Sequence, residues 1–212
     1  MRSVFVLCLV AIAALTAHGG LLKCQMLMSP EEQTRMGYDR QRRMYPPERA
    51  KRLAAQATAQ GMKLMERRDL AGAMAEFNRA WRFCPDDPYC YWMGGIVRGI
   101  EALNATDPAL RSRAFQESLL LFDEARKRLD GGRIELENLA LDRAETLICY
   151  GEFLQSGRSP EAARYLDEAE AALTPFDRYR KLDDRRSRQI TSRADGQLKR
   201  LRRARERRSR EP

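Results

Sequence analysis

The sequence predicts an all-α protein, a short α-solenoid of about three helical hairpins followed by a basic C-terminal helix. One-third of the residues are charged, and no sustained alternation of Val, Ile and Thr indicates strands. Proline residues that follow a helix-capping residue recur along the chain, as they do at helix starts. A pattern of small and large apolar residues also recurs at three places, which is typical of stacked helical repeats.

Five capping residues followed by proline divide the chain into helices. They are Ser29-Pro30, Asp87-Pro88, Asp107-Pro108, Ser159-Pro160 and Thr174-Pro175. The Ser, Thr or Asp side chain accepts a hydrogen bond from a free N–H at the helix start, where proline loses nothing by lacking its own N–H. Together with the apolar periodicity, these markers predict eight segments. Their bounds are roughly 30–44, 47–66, 69–83, 88–103, 108–129, 133–156, 160–173 and 175–208.

The best-defined hairpin runs from Ala54 to Pro85, with its turn near Asp69. Small residues lie where its two helices must touch, and an aromatic residue shares their face: Gly61, Ala73, Phe77 and Ala80. This hairpin resembles a tetratricopeptide repeat, a helix-turn-helix unit of about 34 residues that stacks on copies of itself. The resemblance implies a helical-repeat domain over residues 47–175.

The pattern recurs in two further hairpins. The second begins near Pro88, and its landmarks are Gly95, Ser118, Phe122 and Ala125. The third has the landmarks Phe153, Gly157, Ala162, Leu166 and Ala169. Three repeats are about the minimum for a stable array, because each unit buries its apolar face only against its neighbours. The alternative is an ordinary helical bundle whose alanines reflect helix propensity.

In tetratricopeptide domains the first helices of successive units line a concave groove, and the resemblance implies such a groove here. Its residues would be Thr58, Met62, Met65, Tyr89, Trp92, Ile96, Ile100, Leu147, Gly151 and Leu154. The set is apolar with an aromatic cluster, a composition typical of protein-binding surfaces. The alternative is that the chain's own helix, 30–44 or 175–208, fills the groove as core.

The first 19 residues predict a secretory signal peptide. Arg2 precedes an apolar run from Val4 to Ala17, which is too short for a bilayer, and small residues around Gly19 offer a cleavage site. The mature protein would then be secreted or periplasmic. An uncleaved N-terminal membrane anchor is the alternative. Residues 20–46 are expected to form a polar leader with one helix.

Cysteine and histidine usage limits the chemistry of the mature chain. An oxidising compartment would favour a Cys84–Cys90 disulfide across a tight connection, with Cys90–Cys149 as its rival and buried free thiols as the alternative. The one histidine, His18, lies in the predicted signal peptide, so no His base or His zinc ligand remains. No pair of carboxylates stands out, and the sequence therefore predicts no enzyme, no cofactor and no metal.

Residues 176–212 are predicted to form a basic capping helix and tail. This segment holds 15 Lys and Arg and 6 Asp and Glu. The basic residues concentrate in its last part: Lys199, Arg200, Arg202, Arg203, Arg205, Arg207 and Arg208. Such a block attracts polyanions.

The leading functional hypothesis is an exported, non-catalytic scaffold that binds a protein or peptide in the groove, without a small-molecule substrate. The second is a binder of an anionic polymer or membrane surface, driven by the basic tail, with the repeats as a spacer. The tail could also serve only as a cap or a solvated terminus.

Overall fold

A computed structural model describes residues 24–130, 133–181 and 184–210, and within these ranges the chain is helical without a strand. The predicted all-α class is confirmed. The chain divides into two compact units, Met1–Arg128 and Leu129–Pro212. The predicted signal peptide lies outside the described residues.

The first unit contains six α-helices in its described part. They are α1 (Pro30–Arg35), α2 (Tyr38–Arg43), α3 (Pro47–Glu66), α4 (Leu70–Phe83), α5 (Pro88–Asn104) and α6 (Pro108–Arg128), after a short 3-10 helix at Gln25–Leu27. The described part of the second unit contains α7 (Arg133–Ser156), α8 (Ala162–Leu173), a 3-10 helix at Thr174–Lys181 and α9 (Arg185–Arg210).

The predicted bounds of α3 to α8 agree closely with these helices, and the predicted caps of α5 and α6 act as expected. The predicted cap Ser159 does not begin α8, which starts at Ala162 with Glu161 as its N-cap. The Asp87 side chain accepts a hydrogen bond from the Tyr89 N–H at 3.0 Å. The Asp107 side chain accepts one from the Ala109 N–H at 2.7 Å. Asp69 caps α4 in the same way, through the Gly72 N–H.

Two predicted segments differ from the structure. The expected leader helix 30–44 is two short helices, because Gly37 between them has a positive φ of 72°. The expected helix 175–208 begins instead as the 3-10 helix Thr174–Lys181, followed by α9. The leader is also less polar in its packing than its composition indicates. Its buried side chains are Cys24, Met26, Met28 and Tyr38.

The leader packs against α4 and α6, the second helices of the first two hairpins, and also reaches α5. The Gln25 N–H donates to Asn78 Oδ1 of α4 at 2.9 Å, and the Tyr38 ring meets the Trp81 ring edge to face. Met26 lies beside α5, where a Cβ on Gly94 would be 2.6 Å from its terminal methyl group. These contacts make residues 24–43 part of the folded unit.

The helices pair as three hairpins, α3 with α4, α5 with α6, and α7 with α8. In each pair a glycine of the first helix faces a large residue of the second. A Cβ added to the glycine would lie 2.6 Å from the Phe77 ring in the first hairpin, 3.1 Å from the Phe122 ring in the second and 2.6 Å from Leu166 in the third. The glycines are Gly61, Gly95 and Gly151. The recurring landmarks predict Gly157 at the third position, but Gly157 lies in the turn after α7.

The turns of the first and third hairpins are formed by the same hydrogen bonds. The Asp69 N–H donates to the Leu64 carbonyl at 2.9 Å, and the Ser159 N–H donates to the Leu154 carbonyl at 2.9 Å. Before them, Arg68 and Arg158 adopt positive φ values of 65° and 57°. This is the C-terminal motif in which a left-handed residue lets the chain satisfy the last helical carbonyls.

Candidate functional site

The predicted groove residues of the first unit lie on α3 and α5, which contact each other. Met62 and Ile100 are half-buried, and Met65 is buried. On α5, Tyr89 is 40% exposed, whereas Trp92 and Ile96 are only 7% and 6% exposed. Three of these six side chains are therefore accessible: Met62, Tyr89 and Ile100.

The Tyr89 and Trp92 rings form the most pronounced feature of this face. They stack with centroids 6.0 Å apart and an interplanar angle of 15°. Three residues of spacing place both side chains on one side of α5. The buried Trp92 ring thus lies against the Tyr89 ring and restricts the orientation of the exposed phenol. The Met62, Tyr89, Trp92 and Ile100 side chains are called the aromatic face below.

The third hairpin presents a different surface. The shared turn aligns Leu154 with Leu64, so that Glu152 and Gln155 correspond to Met62 and Met65. The predicted groove residues Leu147 and Leu154 are buried and half-buried, respectively. The third hairpin therefore carries polar side chains, Glu152 and Gln155, at the positions where the first hairpin carries Met62 and Met65.

The chain's own helices cover the two units differently. In the first unit, α2 packs on α4, which is the second helix of its hairpin. The Arg42 guanidinium lies 5.0 Å from the centroid of the Trp81 ring. In the second unit, α9 packs on both α7 and α8. The first helix α7 is therefore covered by the chain itself.

Five described arginines of α9 form ion pairs with carboxylates of α7 and α8. Arg200 bridges Glu145 at 2.6 Å and Glu152, and Arg207 also reaches Glu152 at 2.7 Å. Arg205 pairs with Asp167 and Glu170 of α8. Arg193 and Arg186 extend the series to Asp142 and Glu137. Along this series the partners advance in the same direction, so α9 runs parallel to α7.

The ion pairs reduce the part of the tail that faces solvent. Of the predicted anion-binding residues, Lys199, Arg202, Arg203 and Arg207 are exposed, and Arg207 is paired with Glu152. The Arg208 side chain lies outside the described part of the chain. The acidic partners on α7 were not identified from the sequence, because the pairs join residues about fifty positions apart.

The four described cysteines are free thiols, so the predicted Cys84–Cys90 bridge is not formed in this structure. Cys90 instead donates its Sγ–H to the Asp87 carbonyl at 3.0 Å. Burial raises the pKa of the Cys24 thiol to about 11 and that of Cys149 to about 12. Burial also raises the pKa of Cys90. These thiols are held in the protonated form at neutral pH.

No group of three or more His, Cys, Asp or Glu among the described residues is placed to hold a metal ion. An open depression of about 470 Å³ lies along α6 and is lined by residues of that one helix: Leu120, Asp123, Glu124, Arg126 and Lys127. Within the described ranges, no helix combines the length and apolar character needed to cross a bilayer.

Comparison of the chain with family models, with curated proteins and with solved structures finds no match.

Proposed function

We propose that the protein is an exported, non-catalytic scaffold of tetratricopeptide type that binds a protein or peptide segment through the aromatic face. The observation that carries this proposal is the stacked Tyr89–Trp92 pair, of which Tyr89 is 40% exposed. An ordered aromatic side chain offers a large contact area at a low cost in conformational entropy, and tyrosine is enriched at protein-binding hot spots.

The repeated construction of the hairpins supports the scaffold part of the proposal. Two hairpins share one turn motif, and all three place a glycine against a large apolar residue. In the first unit, α5 packs on both α4 and α3, as stacked repeats require of successive hairpins.

The chemistry of the aromatic face indicates the kind of segment that it would bind. Met62 on α3 and Ile100 on α5 supply adaptable apolar surface, and the exposed Tyr89 ring adds a large amphipathic side chain. A short segment with one or two large apolar side chains fits this surface. At the matching positions the third hairpin is polar, and Glu152 is paired with two arginines. The first unit is therefore the better region for binding an apolar segment.

Selection from a random-peptide phage library would test the proposal. We expect enriched peptides to contain aromatic or large aliphatic residues and to lose at least about tenfold in affinity on Tyr89→Glu, as hot-spot truncations do. Tyr89 lies in the first turn of α5, where an acidic side chain is compatible with the helix dipole. Trp92 is unsuitable for this test because it is buried, and its replacement would also disturb packing.

Leu120→Glu provides a matched control, since Leu120 is 54% exposed on the second helix α6. It introduces the same charge on a different face and should leave peptide binding unchanged. A library that yields no enriched peptide, or peptides that bind both variants equally well, would reject the aromatic face as the binding site.

A further inference from the structure

The turn between α2 and α3 presents an exposed apolar tip. Met44 is 70% exposed, and Pro46 and Pro47 beside it are also exposed. Tyr45 is half-buried, and its ring meets the Phe83 ring edge to face at 5.5 Å. This contact ties the turn to α4. The tip is therefore a fixed projection of the folded unit rather than part of a loose terminus.

Basic side chains surround this tip. Residues 40–52 contain six Arg and Lys and a single acidic residue, Glu48. Five of the six are exposed: Arg40, Arg43, Arg49, Lys51 and Arg52. Glu48 approaches Lys51 at 3.4 Å and offsets one of these charges. Residues 40–52 are called the basic corner below.

The corner is compact. Arg40 and Arg43 are one turn apart on α2, and Arg49 and Arg52 are one turn apart on α3, so each pair shares a helix face. Arg43 and Pro47 are separated by three residues, which limits their Cα atoms to about 14 Å apart. The two pairs are therefore carried by consecutive helices that one short turn joins.

We propose that the basic corner binds an anionic phospholipid surface, with Met44 entering the interface and the arginines contacting lipid phosphates. Clustered basic residues are attracted to anionic headgroups, and an apolar side chain among them adds burial in the interface. Guanidinium groups suit phosphate oxygens, and their aliphatic stems tolerate the apolar boundary. A purely electrostatic acidic partner would have no use for the projecting Met44.

Co-sedimentation with vesicles tests this proposal. The full chain would be compared on vesicles of phosphatidylglycerol and phosphatidylcholine and on vesicles of phosphatidylcholine alone. We expect binding that requires the anionic lipid and weakens with added salt. The triple variant Arg40→Glu, Arg43→Glu, Arg49→Glu should lose at least about tenfold in its partition onto anionic vesicles.

A second triple variant, Lys199→Glu, Arg202→Glu, Arg203→Glu, makes the same charge change on exposed positions of α9. It should lose no more than about twofold, because only the long-range net charge is altered. Any insertion of the apolar residues 4–17 also occurs on vesicles of phosphatidylcholine alone, and that binding is subtracted for each variant. Far-UV circular dichroism of each variant verifies that the helices persist.

Met44→Asp separates a lipid surface from an acidic macromolecule. On a membrane it should weaken binding several-fold, since it removes the apolar contact and adds a negative charge. Equal losses from the two triple variants would overturn the proposal. So would unchanged vesicle binding by Met44→Asp together with full competition by polyglutamate, which would identify an acidic protein as the partner.

Discussion

Gly61 and Phe77 are in such close contact that a Cβ on Gly61 would lie 2.6 Å from Cε1 of the Phe77 ring. Phe77 is fully buried, so its ring is enclosed by other parts of the protein. The first hairpin therefore requires glycine at this position because of packing, although glycine is a poor helix former.

We predict that Gly61→Ala lowers the free energy of unfolding by about 1–2 kcal/mol. Overpacking of a core typically costs about 1–3 kcal/mol, and the better helix propensity of alanine returns up to about 1 kcal/mol. Urea unfolding followed by circular dichroism measures the change. Combining Gly61→Ala with Phe77→Leu should recover part of the loss, and a fully stable single variant would show that Phe77 can shift.

Gly196→Ala is the matched substitution at an open site. Gly196 is exposed on α9, and no atom lies within 4 Å of the position of its added Cβ. Without a steric cost, only the helix propensity changes, and we predict a gain of about 0.5–1 kcal/mol in the same unfolding measurement. A loss of stability would mean that another part of the protein packs on this position.

The contrast between these two glycines shows what local sequence can predict. Helix bounds follow from caps such as Asp87 and Asp107, because the cap and the N–H that it satisfies are neighbours in the chain. The recurring spacing of Ala73, Phe77 and Ala80 likewise predicts a buried face. In the third hairpin the landmarks predict that Gly157 meets this face, but Gly151 does so. The prediction is wrong because composition does not fix the length of the turn.

The candidate site was less predictable than the helices, since it depends on contacts between distant residues. Tyr89 and Trp92 are on one side of α5 by periodicity, but their unequal exposure depends on what packs around them. The charges of the tail gave a similar difficulty. The composition of the tail predicts that Arg200 is solvated. In the structure Arg200 pairs with Glu145, because α9 lies along α7.

We predict that Arg200→Gln destabilises the second unit by about 1–3 kcal/mol. Arg200 neutralises Glu145, which is buried, and Glu152, so its loss leaves a carboxylate without a charged partner in a poorly solvated site. The expected loss is below that of a fully buried pair, because the Arg200 side chain is 31% exposed. Urea unfolding again gives the magnitude.

Two companion variants make the interpretation specific. Arg202→Gln removes the same charge from an exposed position of α9 and should change stability by less than about 0.5 kcal/mol. Adding Glu145→Gln to Arg200→Gln should restore part of the stability, because the uncompensated carboxylate is removed. Equal effects of Arg200→Gln and Arg202→Gln would contradict an internal role for the Arg200 pairs.

The cysteines give a prediction about chemical reactivity. Thiolates, not thiols, react with alkylating reagents, and burial raises the pKa of Cys24 to about 11 and of Cys149 to about 12. Cys84 is only half-buried at the end of α4, although burial raises its pKa as well. We therefore expect iodoacetamide to label Cys84 first in the folded, reduced protein at pH 8, with the buried thiols at least about tenfold slower.

Peptide mass spectrometry at successive labelling times would measure this order, and the denatured protein should label Cys24, Cys84, Cys90 and Cys149 at similar rates. Raising the pH should accelerate labelling of every site that reagent can reach, since the thiolate fraction increases. The same measurement on protein exported under oxidising conditions tests the predicted bridge. Joint protection of Cys84 and Cys90 that is lost on reduction would establish a disulfide between them, and it would show that the free thiols belong to the reduced form.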